Sequence, residues 1–403
     1  MIKHNYQNIL TTILASCYCS APFILQAQTA PDKPYMPLID HSPFLSPRAE
    51  GLGSALSTLA EGAEAAYFNP AGIGEFNPQH KTGKKPWVRE LQLPYLGVSA
   101  NKPGQNALTG FSKDKTSTER NMGDALENTL DGPDLYSRGS AVLSLELGRV
   151  LFLQAEDIQF AAGASSPTAG EDPSKNIKAQ YRNSSTSGVG FSVQDSKERF
   201  SVGVFSAIVK RQEAAGSFSY DEISDPTVRK KAISENSEKY TGNPTNVGVK
   251  WNMAKYAKPT LGLVIRDVQG TKYTDVQRNT DDPLRYETQK EDITLGFSIS
   301  PKIGDGTLHC IMEESRLSES QLSLNQKWTT AFEYTPFSNG SKDSILALRT
   351  GVNALGVSYG LGLNLGLIQV EFASKVWDIG LINEHRAERR NSIVFSTNVL
   401  SVD

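Results

Sequence analysis

Gly356-Val357-Ser358-Tyr359-Gly360 has the Gly-x-Ser-x-Gly spacing of a hydrolase nucleophile, and Asp378 and His385 follow it in the order of the acid and the base. Such a serine needs a strand, a sharp turn and a helix, which expose the hydroxyl beside backbone N–H groups that hold an oxyanion. Here the residues continue a two-residue alternation through Leu361, Leu363, Leu365 and Leu367, and no helical period follows. Ser358 is therefore expected in a strand, without catalysis. The five histidines, His4, His41, His80, His309 and His385, include no two at metal-ligand spacing. Gly360 to Gly366 lack the βαβ unit that a dinucleotide loop requires. No enzyme, metal or cofactor is predicted.

What remains is a set of charges, Lys250, Arg266, Glu333, Arg349, Glu371 and Lys375, whose use depends on the elements that carry them. From about Val88 onward, runs of roughly ten residues alternate with period two and are separated by Gly, Asn, Asp, Ser and Pro. In "DITLGFSIS" the apolar face is Ile293, Leu295, Phe297 and Ile299, and the opposite face is Thr294, Gly296, Ser298 and Ser300. In "GVSYGLGLNLGL" the large residues Val357, Tyr359, Leu361 and Leu363 oppose Ser358, Gly360, Gly362 and Asn364. About fourteen such strands between Val88 and Val402 suit an all-β fold, a single transmembrane antiparallel β-barrel. Asn353 to Leu355 and Gly304 to Gly306 read as tight reversals, and Ser112 to Gly139 and Asp221 to Pro244 as long charged loops, the second containing a helical "TVRKKAI".

The alternative is a soluble exported β-sandwich, whose outer sheet faces would be rich in Lys, Glu and Thr. The small faces here are Gly, Ser, Ala and Asn, as a crowded lumen requires. A Lys or Arg facing lipid costs roughly 2–4 kcal/mol at the midplane, so the six charges are predicted to point inward, where they pair or orient the polar end of a ligand. Trp251, Tyr334, Tyr359 and Trp377 are the candidate interfacial aromatics.

The chain has 403 residues, 41 Lys plus Arg against 44 Asp plus Glu and a net charge of -3, which gives no support to nucleic-acid binding. Residues 1–27 read as a signal peptide, with Lys3 and His4 ahead of an apolar stretch, so export to the outer membrane of a Gram-negative-type cell is expected. Leu14-Ala15-Ser16-Cys17 also resembles a lipoprotein box, which leaves lipidation of Cys17 open. Residues 28–47 form a proline-rich leader, and beyond the signal only Cys310 remains, so no internal disulfide is expected. The mature chain holds no run of 18 apolar residues, which excludes a spanning helix and leaves strands to cross any membrane.

Between leader and barrel, residues 48–87 contain "RAEGLGSALSTLAEGAEAAYFNPAGIG", a compact Ala/Gly stretch with Ser57 or Thr58 as helix cap and Pro70 as its stop. This block resembles the N-terminal signature of the FadL-like outer-membrane proteins, including the PorV group. "LGLVIRDV" from Leu261 and "LALRTGVNALGVSYGLGLNLGLIQVEFA" from Leu346 look like barrel strands of the same superfamily. The resemblance implies a hatch folded into the lumen of a barrel spanning residues 88–403, with Asn69, Pro70, Ala71 and Gly72 as the gate. It implies a hydrophobic or amphipathic small-molecule ligand and outer-membrane lipid as surroundings. The PorV group implies instead a partner from a secretion or surface-assembly system, docking on Ser112 to Gly139 and Asp221 to Pro244.

Overall fold

The computed structural model describes residues 42–74, 88–109, 135–164, 177–197, 199–219, 222, 226–235, 237–275, 288–320, 322–336, 345–365, 367–378 and 387–400. The expected signal peptide, Cys17 and most of the leader lie outside these residues. Ahead of the barrel come α1 (Pro47–Gly51), α2 (Gly62–Phe68) and a 3-10 turn, Pro70–Gly72. The first strands are β1 (Val88–Asn101), β2 (Leu135–Leu147), β3 (Val150–Ala164), β4 (Ile177–Gln194) and β5 (Phe200–Phe218), with α3 (Lys102–Thr109) after β1 and α4 (Pro226–Glu235) after β5. β6 runs in two pieces, Ser237–Gly242 and Thr245–Asn252, because Pro244 has no N–H for the ladder, although its carbonyl still accepts from the Ala207 N–H at 3.1 Å. Then follow β7 (Thr260–Arg266), β8 (Asp292–Ile299), β9 (Gly306–Glu314), β10 (Trp328–Thr335), β11 (Leu346–Asn353), β12 (Gly356–Asn364), β13 (Ile368–Asp378) and β14 (Ala387–Leu400).

These fourteen strands pair antiparallel with their neighbours, and β1 pairs with β14 from Leu91↔Leu400 to Asn101↔Arg390, so the sheet closes. The alternation decides the two sides. On β8 Leu295 and Phe297 are exposed while Thr294 and Ser298 are fully buried, and on β12 Val357 and Tyr359 are exposed while Ser358 is buried. Large apolar side chains therefore coat the outside, and small or polar ones face in. Past β7 the wall is irregular: Asp267, Gln269 and Gly270 take positive φ, after which Thr271–Lys272 pairs with Thr288–Gln289.

Three local expectations are corrected. Ser112 to Gly139 is not loop throughout, since β2 begins at Leu135; residues 110–134 lie outside the described set. Asp221 to Pro244 carries the expected helix as α4, but it is not loop beyond that, since the first piece of β6 begins at Ser237. Trp377 is no interfacial aromatic: it points inward, 6% exposed, stacked beneath Arg390 at 4.3 Å and Lys375 at 4.4 Å. The Gly356–Gly360 pentapeptide is uninterrupted strand, so the turn that exposes a nucleophile is not built there.

Leu295→Arg places a cation on the outer face and is expected to lower barrel stability in lipid vesicles by roughly 2–4 kcal/mol, read by urea titration. An unchanged midpoint would mean that this face does not meet lipid.

Candidate functional site

Residues 42–74 lie inside the barrel, and their local structure follows from a few capping groups. Ser46 caps α1, its Oγ accepting from the Ala49 N–H at 3.1 Å, and Pro47 suits the first turn because its missing N–H needs no partner. α2 starts at Gly62 with Glu61 as N-cap, which corrects the expected cap at Ser57 or Thr58. The Ser57 N–H is instead bound by the wall, donating to Glu313 Oε2 at 2.9 Å. Pro70 stops α2 as expected, and Asn69 joins three pieces of chain at that point. Its Oδ1 accepts from the Ala71 N–H at 3.0 Å, and its Nδ2 donates to Ser57 O at 2.7 Å and to Val249 O of β6 at 3.3 Å. With both ends of its amide bonded, Asn69 is fully buried at no unpaired cost.

Glycines of the wall make the seat for this segment. A Cβ on Gly203 would land on the Pro70 carbonyl, one on Gly248 on Asn69 Oδ1, and one on Gly351 on the backbone of Leu52. The small inner face thus exists so that two backbones can touch. Within the segment, Gly72 packs as tightly on the Ala60 carbonyl. Asn69, Pro70 and Ala71 sit against Gly203 of β5 and Gly248 of β6, in the half of the barrel nearer the short turn between β4 and β5, and Gly72 packs within the segment.

Charges fix the other side. Arg48 forks onto Glu333 of β10, Nε to Oε2 at 3.0 Å and Nη2 to Oε1 at 2.9 Å. Glu333 also accepts from Arg349 Nε at 2.7 Å, and Arg349 reaches Glu371 at 3.0 Å. Lys375 Nζ donates to Ser54 Oγ at 2.6 Å, and Arg390 Nη2 binds Glu50 Oε1 at 2.6 Å. Arg266 pairs with Asp292 at 2.6 Å and lies 5.1 Å over the Tyr67 ring, while Lys250 is buried on β6 away from the Glu333 group. Of the six charges read from the sequence, Glu333, Arg349 and Glu371 form one network, and Arg266 and Lys375 touch the segment separately. Sequence reading missed Arg48, Glu50, Glu64 and Arg390. Arg390 was detectable, since it shares the inward parity of Ser392 and Ser396 on β14.

Above the seat a pocket opens between the segment (Pro43, Tyr67) and β4 to β7 (Arg182, Phe205, Val209, Arg211). Arg211 stands eight residues beyond Gly203 on β5, roughly 26 Å of extended chain toward the opposite rim. The pocket encloses about 490 Å³ with its open mouth, yet only about 30 Å³ is open to the centre of a water molecule. Anything larger than a few waters enters only if a wall gives way. Arg182 is paired with Glu213 at 2.6 Å, and Asp267 accepts from Gln289 Nε2 at 2.6 Å. Arg211 stacks on Tyr273 at 4.1 Å and donates to Gln289 Oε1 at 2.9 Å, but its buried Nε has no hydrogen-bond partner among the described residues.

Burial pushes the Glu64 carboxyl up from 4.5 to about 7, against the lowering effect of Arg48 and with Glu371 adding to the rise. Its protonated form is favoured in place, so the contribution of Glu64 to holding the segment is full at low pH and is lost as pH climbs from about 4.5 through about 7. Proteolysis within residues 42–74 of the folded barrel should be faster at about pH 8 than at about pH 5, and Glu64→Gln should flatten the difference. A profile unchanged in the variant would remove Glu64 from the account. Gly203→Val should unseat Pro70 and expose the same residues to protease while the barrel keeps its heat-modifiable gel mobility; continued protection would refute the glycine seat.

No family model matches the sequence, and no curated protein matches it. Solved structures do. A "TodX deltaS2S3 mutant monoaromatic hydrocarbon channel" aligns at TM-score 0.52 and 9% identity over 88% of this chain and 98% of its own. The toluene transporter TodX of Pseudomonas putida aligns at 0.49 and 9% over 88% and 98%, and a Pseudomonas aeruginosa FadL homologue at 0.41 and 11% over 88% and 98%. At these identities what is established is the architecture: the chain has the fold of the TodX-type outer-membrane barrels, a closed antiparallel barrel of fourteen strands.

Proposed function

We propose that this chain is an outer-membrane channel of a Gram-negative-type cell that binds and passes hydrophobic or amphipathic small molecules, with residues 48–74 as its gate. One observation carries the reading: the pocket is walled partly by the barrel and partly by the segment that fills the lumen. A ligand that occupies it must push on Tyr67 or Pro43. Phe205, Ala207 and Val209 offer an apolar bed for the body of the ligand, and the unpartnered Arg211 Nε–H suits an oxygen at its polar end. Movement of Tyr67 is passed along α2 to Asn69, and from there to the turn Pro70–Gly72 on its glycine seat. The coat of exposed apolar side chains supports lipid as the surroundings, and the channels named above support the substrate class.

The test combines location, gating and binding. The protein should fractionate with outer membranes and migrate differently before and after heating, and deletion of residues 52–74 should raise its conductance. Arg211→Gln should weaken an alkyl sulfonate about tenfold and the alcohol of equal chain length far less, the loss of one hydrogen bond to a charged group. Recovery in the soluble fraction, or equal loss for both ligands, would overturn the reading.

A further inference from the structure

Among the described residues the outer wall carries a polar patch between apolar positions. Along β3 the exposed Phe152 and Ile158 bracket Gln154 and Glu156, which are exposed on the same face. Next to them on β4 lie Ser185 and Ser187, below which Val189 returns to the apolar pattern. Gln154 Nε2 donates to Glu156 Oε1 at 3.4 Å and to Ser185 Oγ at 3.3 Å, and Ser187 donates to Gln154 Oε1, so the four make a connected polar patch. One strand further on, the exposed Lys210 pairs in register with Ser185, and beside it Ile208 is again exposed and apolar. A wall that met water here would not keep Ile158 and Ile208, and one that met lipid alone would not keep Glu156 and Lys210.

Glu156 and Lys210 are the informative pair. Both are cross-strand partners of Ser185, from opposite sides, so their Cα atoms stand about 10 Å apart, two strand spacings. Neither has an ion-pair partner among the described residues. A twofold axis parallel to the barrel axis and passing in front of Ser185 carries Glu156 of one copy to the side on which the other copy presents Lys210. Strand tilt separates the two in height by about 6 Å, within reach of these long side chains. The same axis sets Ser185 against Ser185, and Phe152 and Val189 extend the contact with apolar surface. Two copies inserted in the same direction can be related only by such an axis, and the contact it makes is closed and self-complementary.

We propose that the face of β3, β4 and β5 centred on Ser185 is the interface of a homodimer in the membrane, closed by two reciprocal Glu156–Lys210 pairs. The interface shields four charges and a hydrogen-bonded cluster from lipid, and it leaves the lumen and pocket of each copy untouched.

Full-length protein in its native membranes, carrying Ser185→Cys in a Cys310→Ala background, is oxidised and run without reductant. The parent without the new cysteine is the control, and Val357→Cys reports the far side of the barrel. A disulfide-linked dimer is expected for Ser185→Cys and not for Val357→Cys. Glu156→Lys or Lys210→Glu alone should lower its yield about tenfold, as expected for the loss of desolvated charge pairs, and the two together should restore it. Heat-modifiable mobility identifies the variants that are folded. A folded Ser185→Cys protein that stays monomeric, while its thiol still reacts with a membrane-permeant maleimide, overturns the proposal. So does a folded double reversal that fails to recover, which would assign the patch to bound lipid instead.

Discussion

Closure of the sheet is the constraint on which everything else rests. A strand edge facing lipid would leave a row of N–H and C=O groups without partners, and pairing of β1 with β14 removes both edges at once. Closing fourteen strands leaves a lumen too wide for their own side chains to fill. Residues 42–74 fill much of it, and glycines on the wall let that filling approach to backbone contact. Enclosure also explains the charge network: Glu333 and Arg349 sit away from water, so each must be matched, and Arg48 supplies part of the match.

The segment and the pocket form one mechanical unit. Tyr67 belongs to the pocket lining and lies under Arg266, and it is two residues from Asn69, whose amide holds Ser57, Ala71 and Val249 together. On the opposite side Arg48, Glu50 and Ser54 anchor α1 and the turn after it to β10, β13 and β14. The Arg48–Ser54 end of the segment is therefore tied by charge as well as by close packing, and the Asn69–Gly72 end by close packing and the Asn69 amide.

Much of this was legible in the amino-acid sequence because a barrel writes its two surfaces as a period of two. Leu295 and Phe297 against Thr294 and Ser298 needed no partner information to be sorted, and the inward direction of Glu333 and Arg349 followed from the cost of the alternative. What escaped was set by contacts distant in the chain. The Ser57 N–H is bonded to Glu313, 256 residues away, so the local signal for a helix cap there was overruled. Trp377 looked interfacial by residue type, yet it shares the parity of Lys375 and stacks with it inside. The unpartnered Nε of Arg211 and the Glu156–Ser185–Lys210 register depend on which strands are neighbours, and no single strand records that.

The tie between Glu50 and Arg390 spans 340 residues and joins the segment that precedes the barrel to its last strand. Such a contact is among the most nonlocal the chain can make, and loop closure must precede it. During biogenesis the lumen filling is made first and its final anchor last. The filling therefore lacks its last charge pair until β14 arrives, and the same strand completes both that pair and the seam. A barrel caught before that step would be open along its wall, with the segment at its centre short of one anchor.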